Sequence, residues 1–307
     1  MVNRNHNLIE IPNIYDEFKK LVSQIPEGMI TTYGDIALAL GDVIASRAVG
    51  EMLSENDDPI NIPCHRVVKT DGSIGGFTHP NGVKEKLKRL EAEGIKLSNG
   101  KIDNFEKIRF REFRTDFPLL KFRDSLKIIK NDEELINKLD FSEINIIDVS
   151  YINRIGIGAA YDYVDGKIEF KIKPIKSPYI PNYLFLREGE IILDLIRNDK
   201  INIIDGNGMI HRDKRGLATV AGYLKNSVTI GVAKKLLTGD LTGRTIYIEG
   251  EPVGLISNKS YISIGFGLGF PQLVYFEKFL RSKITYDPIT KIPDIFSRRY
   301  RDAILSN

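Results

Sequence analysis

The chain has 307 residues, 42% of them hydrophobic and 28% charged, with a net charge of +3 at neutral pH. That length allows two domains with cores of their own, and the composition excludes a disordered or low-complexity chain. The small net charge is no argument for nucleic acid by itself. One cysteine excludes an internal disulfide and suits a reducing cytoplasm, no apolar run reaches the length of a membrane span, and Met1 to His6 has no apolar core of a signal peptide.

Ile14, Phe18, Leu21, Val22 and Ile25 share one helical face, and Pro26-Glu27-Gly28 ends that helix. A second helix is predicted after Thr31-Thr32, either of which can cap it, running through Ile36 to Leu40 and stopping at Gly41. A third runs from Ser46 to Leu53, with Ser46 as its cap and Arg47 in its first turn. Two short helices joined by a tight turn resemble a helix-turn-helix. Ile62-Pro63-Cys64-His65-Arg66-Val67-Val68 follows and holds the lone thiol. A free cysteine is as a rule buried and inert. Here a neighbouring imidazole can take the proton, and cationic neighbours favour the reactive thiolate. Val67-Val68 and the Asp71-Gly72 turn read as a short strand and hairpin, and Gly75-Gly76-Phe77 as a flexible loop. A helix from Val83 to Glu93 is expected to turn Val83, Leu87 and Leu90 inward.

The Cys64 stretch resembles the active-site motif of the O6-alkylguanine-DNA alkyltransferases. Tyr33, Arg47, Asn56, Phe77, Lys84 and Glu93 each fall where that family has a working residue, without a gap between Tyr33 and Glu93. The resemblance implies that Arg47 fills the space left by a flipped-out nucleotide in the minor groove while Tyr33 crowds its phosphate. Flipping is needed because O6 of a stacked guanine cannot meet a thiolate in line. By the same resemblance Phe77 walls the alkyl pocket, Asn56 holds the turn around Cys64, and Glu93 orients His65, which acts through a water on Cys64. The alkyl transfer would be irreversible, and each molecule would act once. Longer members of that family carry an extra N-terminal domain; here the catalytic module is expected to be complete without one, and without zinc.

Lys107 to Arg114 mixes basic and aromatic residues, which suits either a nucleic-acid track or a solvated linker. We place an alkyltransferase domain at residues 1–98, a linker at 99–117 and a second domain at 118–307. In the second domain Ile144 to Tyr151, Ile155 to Tyr163 and, after an Asp165-Gly166 turn, Ile168 to Ile172 read as an antiparallel meander. A helix from Leu184 to Ile196, a buried strand Ile201 to Asp205, a helix from Leu217 to Leu224 and a strand Val228 to Val232 follow. That order predicts a ribonuclease H-like mixed α/β fold behind the small, mainly helical first domain.

Asp148 interrupts an apolar strand and Asp205 ends another, and a buried carboxylate without a partner is expensive. With Glu188 as third ligand, these acids would make an all-oxygen site suited to Mg²⁺, with Mn²⁺ as a substitute. Ile147-Asp148-Val149-Ser150-Tyr151, Ser177-Pro178-Tyr179-Ile180-Pro181, Leu186-Arg187-Glu188-Gly189, Asp205-Gly206-Asn207-Gly208 with His211, and Thr229 to Lys235 resemble endonuclease V, in that family's order. The resemblance implies a strand-prying wedge at Tyr179 and Ile180, a base-approach loop at Gly206 and Gly208, and His211 and Lys234 facing the scissile phosphate. A late Gly-His-Arg element of that family has only Gly265-Phe266-Gly267 as its local counterpart.

Together these features predict a bifunctional, cytoplasmic DNA repair enzyme acting on double-stranded DNA with alkylated or deaminated bases, with no membrane and no obligate protein partner. Cys64 would take alkyl groups from guanine. The second domain would nick near deoxyinosine, at the second phosphodiester on its 3′ side. Two other readings stay open on the sequence alone: a non-enzymatic lesion sensor, and a nuclease half that acts on inosine in RNA.

Overall fold

The computed structural model describes residues 9–283 and 290–305; the N-terminal hexapeptide read above for a signal lies outside them. The chain forms two compact units. One comprises Leu8–Ser125 together with Lys176–Pro181, and the other comprises the remainder.

In the first unit α1 (Ile14–Val22) buries Ile14, Phe18, Leu21 and Val22, as its spacing predicts. The strand β1 (Thr31–Thr32) leads directly into α2 (Tyr33–Leu40). Thr32 is the cap: its hydroxyl accepts from the Asp35 N–H, and the Asp35 carboxylate accepts from the Thr32 N–H, a reciprocal pairing that fixes where the helix starts. Gly41, at φ 108°, ends it in the left-handed region. In α3 (Ser46–Ser54) the expected cap differs. Ser46 is already helical and its hydroxyl donates to the Val43 carbonyl, because a 3₁₀ turn at Val43–Ala45 feeds the helix directly. Strand β2 (Val67–Val68) pairs parallel with β1, which brings the Cys64 turn beside the start of α2. In α4 (Gly82–Ala92) Leu90 is fully buried but Val83 is 42% exposed; the inward place near its start goes to Lys86 instead.

The stretch expected as a linker is built into this unit. Strands β3 (Leu97–Ser98) and β4 (Lys101–Ile102) form a hairpin, Ile30 and Phe110 exchange main-chain hydrogen bonds with Ile108 and Ile30, and Arg114 pairs with Gln24. Two of the basic residues there have acidic partners within the unit. Arg109 donates to both Asp35 oxygens at 2.8 and 3.0 Å, and Arg109 and Arg111 also reach Glu106. Burial works to raise the Asp35 carboxyl, but Arg109 and Thr32 outweigh it and hold the group below its ordinary range. Helix α5 (Pro118–Ser125) completes the unit.

The second unit is a nine-stranded sheet. Strands β5 (Ile144–Ile152), β6 (Ile155–Asp162) and β7 (Ile168–Pro174) form the predicted meander. After α6 (Leu184–Leu195), β8 (Ile201–Asp205) pairs parallel with β5; after α7 (Leu217–Lys225), β9 (Thr229–Ala233) pairs parallel with β8. Strands β10 (Asp240–Thr242), β11 (Thr245–Ile248), β12 (Glu251–Ser257) and β13 (Ser260–Phe266) extend the sheet antiparallel beyond β9. Helices α8 (Phe270–Lys283) and α9 (Lys291–Leu305) follow, and α9 packs on β5 and β6. The core is mainly aliphatic, built from Ile144, Ile146, Ile203, Ile230 and Val232 among others, with the aromatic Phe276. Among the described residues no helix is long and apolar enough to cross a membrane.

Candidate active sites

Cys64 opens a single 3₁₀ turn after Pro63 and is buried. His65 beside it donates through Nε2 to Glu93 Oε1 at 2.7 Å. Glu93 is fixed from three sides, by a bidentate Arg66 guanidinium, by His65 and by the Gly28 N–H. Burial works to raise Glu93, but Arg66 and His65 outweigh it and keep it ionised. For His65 burial dominates and holds the imidazole below its ordinary value despite Glu93, so at neutral pH the ring is neutral. With the Nε2 proton committed to the carboxylate, Nδ1 is the acceptor, and it is buried without a hydrogen-bond partner among the described residues. A buried, unpaired imidazole lone pair next to a thiol is a base in waiting.

Of the other expected residues, Tyr33 stands at the first position of α2. Burial, and then Cys64, holds its phenol above the ordinary range, which locates it at the thiol. A Cβ on Gly75 would fall 3.2 Å from the Tyr33 hydroxyl, so that glycine leaves room for the ring. Asn56 donates to the Ile62 carbonyl at 3.0 Å and accepts from the Asp58 N–H, tying the turn that delivers Cys64. Arg47 is exposed on the first turn of α3. Phe77 is half-buried, under the Arg89 guanidinium and beside the Lys86 ammonium. Lys84 is exposed and is not gathered into the site; Lys86 is. Only 1% exposed, the Lys86 ammonium donates to the Val67 carbonyl at 2.6 Å and to the Gly76 carbonyl at 3.3 Å, and it lies within electrostatic reach of Cys64. Burial pushes Lys86 down to about 8. The packing of α4 on the Cys64 turn, not the sequence pattern, distinguishes it from Lys84.

In the other unit the β5–β8 register pairs Ile147 with Ile204, which sets Asp148 next to Asp205 on neighbouring strands. Burial, and then the neighbouring Asp205 carboxylate, drives Asp148 strongly upward. Glu188 on α6 is buried and pushed up to about 8 by that burial, with the Tyr151 hydroxyl partly offsetting it; the Asp205 charge adds to the rise. Lys234 Nζ reaches Asp205 Oδ2 at 3.2 Å; burial works against its charge, but Asp205 outweighs this and holds it above its ordinary value. The sequence reading missed α9. Its Ser297 donates to Asp148 at 3.3 Å, and its Asp294 adds negative charge near Asp148. An acid on a terminal helix gave no signal that distinguished it from a solvated one.

Several of the expected residues are engaged by contacts within the fold. His211 is buried with both nitrogens engaged, Nε2 on the Asn182 carbonyl and Nδ1 on the Asp213 N–H, so it braces its loop instead of presenting a free nitrogen. Gly206 and Gly208 face their own chain: a Cβ on Gly208 would fall 2.1 Å from the Ile264 carbonyl, so close packing against β13 requires the glycine. Ile180 is fully buried, whereas Tyr179 is 54% exposed, so of the proposed wedge only the tyrosine is available. The Gly265-Phe266-Gly267 stretch has no room for a His or Arg: a Cβ on Gly265 would meet the Thr229 carbonyl at 2.4 Å, and Phe266 is fully buried.

Buried carboxylates driven upward by burial and mutual repulsion form a site short of positive charge, and an all-oxygen donor set suits a hard divalent cation. Among the described residues no three acidic or His/Cys groups stand close enough together to form a metal-holding set, and Glu188 accepts from the Tyr151 hydroxyl. The donor chemistry fits; the third donor is held by a hydroxyl.

Residues 13–95 match the family described as 6-O-methylguanine DNA methyltransferase, DNA binding domain, and residues 126–266 match Endonuclease V. A bifunctional methyltransferase/endonuclease of Picrophilus torridus is 40% identical over 284 residues, which covers 91% of this chain and 94% of that one. The chain belongs to the bifunctional methyltransferase/endonuclease family. The Thermoplasma volcanium member is 44% identical over 248 residues, covering 80% of this chain and 77% of that one. A Nanoarchaeum equitans bifunctional methyltransferase-like/endonuclease is 32% identical over 286 residues, covering 90% and 88%. In this family member each charged centre is assembled from one unit alone: Tyr33, Cys64, His65, Lys86 and Glu93 in the first, Asp148, Glu188, Asp205 and Lys234 in the second.

Proposed function

We propose that this bifunctional methyltransferase/endonuclease performs two independent repair reactions on damaged double-stranded DNA. The observation that carries the first is the neutral His65 with its unpaired, buried Nδ1 beside Cys64. Through a water, His65 takes the thiol proton at Nδ1; Glu93, itself held by Arg66, stabilises the resulting imidazolium, and the Lys86 ammonium favours the thiolate. The thiolate sulfur attacks the alkyl carbon on O6 of guanine, the carbon–oxygen bond breaks, and a thioether remains on Cys64. Arg47 on the exposed turn of α3 takes the place of the flipped nucleotide, and Tyr33 crowds its phosphate.

In the second unit Asp148 and Asp205 would hold Mg²⁺, with Mn²⁺ able to substitute, and with Glu188 and Asp294 as the further acids. Such an ion activates water and stabilises the leaving oxygen when bound. Lys234 is half-exposed on Asp205 and supplies positive charge toward an incoming phosphodiester. The substrate would be DNA with a deaminated base, nicked at the second phosphodiester 3′ of deoxyinosine. The test is incubation of the purified protein with three labelled duplexes containing methylguanine, deoxyinosine or no lesion. Methyl transfer from the first and a magnesium-dependent nick in the second are expected; equal action on the undamaged duplex would overturn the reading.

A further inference from the structure

We propose that Tyr151 is a positioning residue for Glu188 and thereby sets the metal affinity of the acidic site; this rests on the metal-dependent reading above. The Tyr151 hydroxyl donates to Glu188 Oε1. The other oxygen of that carboxylate has no hydrogen-bond partner among the described residues, so the contact pins one oxygen and leaves one lone-pair edge free. Glu188 lies within the electrostatic field of Asp205 and of Asp148, both of the same sign. Like charges repel, and the hydrogen bond from the Tyr151 hydroxyl holds the buried carboxylate against that repulsion.

The tyrosine is itself held. The Arg187 guanidinium lies 4.1 Å from its ring centroid, and Arg187 immediately precedes Glu188 on α6, so strand β5 and helix α6 meet through this stack. Asp148 and Tyr151 come from the same strand, which couples the position of the first acid to that of the third. Outer partners of metal ligands act in this way, and their loss typically lowers metal affinity by about 10- to 100-fold.

The test uses the full chain and Mn²⁺ binding followed by electron paramagnetic resonance, without DNA. Tyr151→Phe removes only the hydroxyl and keeps the ring under Arg187. The expected result is an Mn²⁺ dissociation constant raised about 10-fold or more, with the metal-free melting temperature unchanged and nicking recovered at high Mn²⁺. Glu188→Gln should weaken binding at least as much, and the double variant should be no weaker than Glu188→Gln alone, since Tyr151 acts through Glu188. Unchanged or tighter Mn²⁺ binding by Tyr151→Phe, or additive losses in the double variant, overturns the assignment of Tyr151 while leaving the metal site standing. Absence of Mn²⁺ binding in the unaltered protein overturns both.

Discussion

Lys86 offers the sharpest energetic test of the alkyltransferase centre. A buried ammonium with two carbonyl partners and, among the described residues, no carboxylate partner is held in the fold against its desolvation, which lowers its pKa from 10.5 to about 8. At 1.36 kcal/mol per unit, that difference corresponds to about 3 kcal/mol of destabilisation while the group is charged in both states. The sign follows from proton binding. Below pH about 8 both states hold the proton and the full penalty applies; between about 8 and 10.5 the unfolded chain holds more protons, so stability rises with pH and the penalty disappears. Lys86→Met removes the buried charge but leaves the Val67 and Gly76 carbonyls without their donor, at roughly 1–3 kcal/mol each, so near pH 7 the two effects largely offset. Urea unfolding of the full chain in a Cys64→Ala background should therefore give similar stabilities near pH 7. By pH 10.5 the lysine form should lead by about 3 kcal/mol more than at pH 7. A difference that stays flat across this range would refute the buried-ammonium account. With Cys64 restored, Lys86→Met should slow alkylation of the thiol by iodoacetamide at neutral pH.

Exposure to methylguanine duplex should add one methyl to the intact mass, mapped to Cys64; continued turnover would contradict it. Arg47→Ala should slow repair in duplex far more than transfer from free alkylguanine base, which needs no flipping, and equal losses would make Arg47 structural. Arg109→Met should destabilise the first unit by about 3–5 kcal/mol, read by denaturant unfolding, because it strands the buried Asp35 carboxylate. Gly208→Ala should lower the melting temperature of the second unit, since the added Cβ meets the Ile264 carbonyl at 2.1 Å.

The sequence made the elements legible wherever a local rule decided them. The Thr32 cap, the Gly41 stop and the β5-to-β9 succession follow from capping chemistry and alternation, the Cys64 and His65 pair stands out by residue type, and Glu93 joins it through the alkyltransferase resemblance. What escaped depends on packing between distant segments. Lys84 and Lys86 are both lysines on one helix, and only tertiary contact with the Cys64 turn shows which is buried. The basic stretch around Arg109 reads as solvated until Asp35 stands opposite it. His211, Gly206 and Gly208 have residue types that suit a phosphate or base site, yet their backbone surroundings consume their hydrogen-bonding and steric capacity. Asp294 comes from a helix far along the chain, and only the packing of α9 on β5 relates it to Asp148.

The central claim is that two chemistries run on one chain from separate centres. It is tested most directly by measuring methyl transfer and deoxyinosine nicking side by side in the unaltered protein, Cys64→Ala and Asp148→Ala, each confirmed folded. Cys64→Ala is expected to lose transfer and keep nicking near normal, and Asp148→Ala, or a chelator, to do the reverse. If folded Asp148→Ala stops methyl transfer, or folded Cys64→Ala stops nicking, the two centres are coupled and the division argued from Cys64 and Asp148 is wrong.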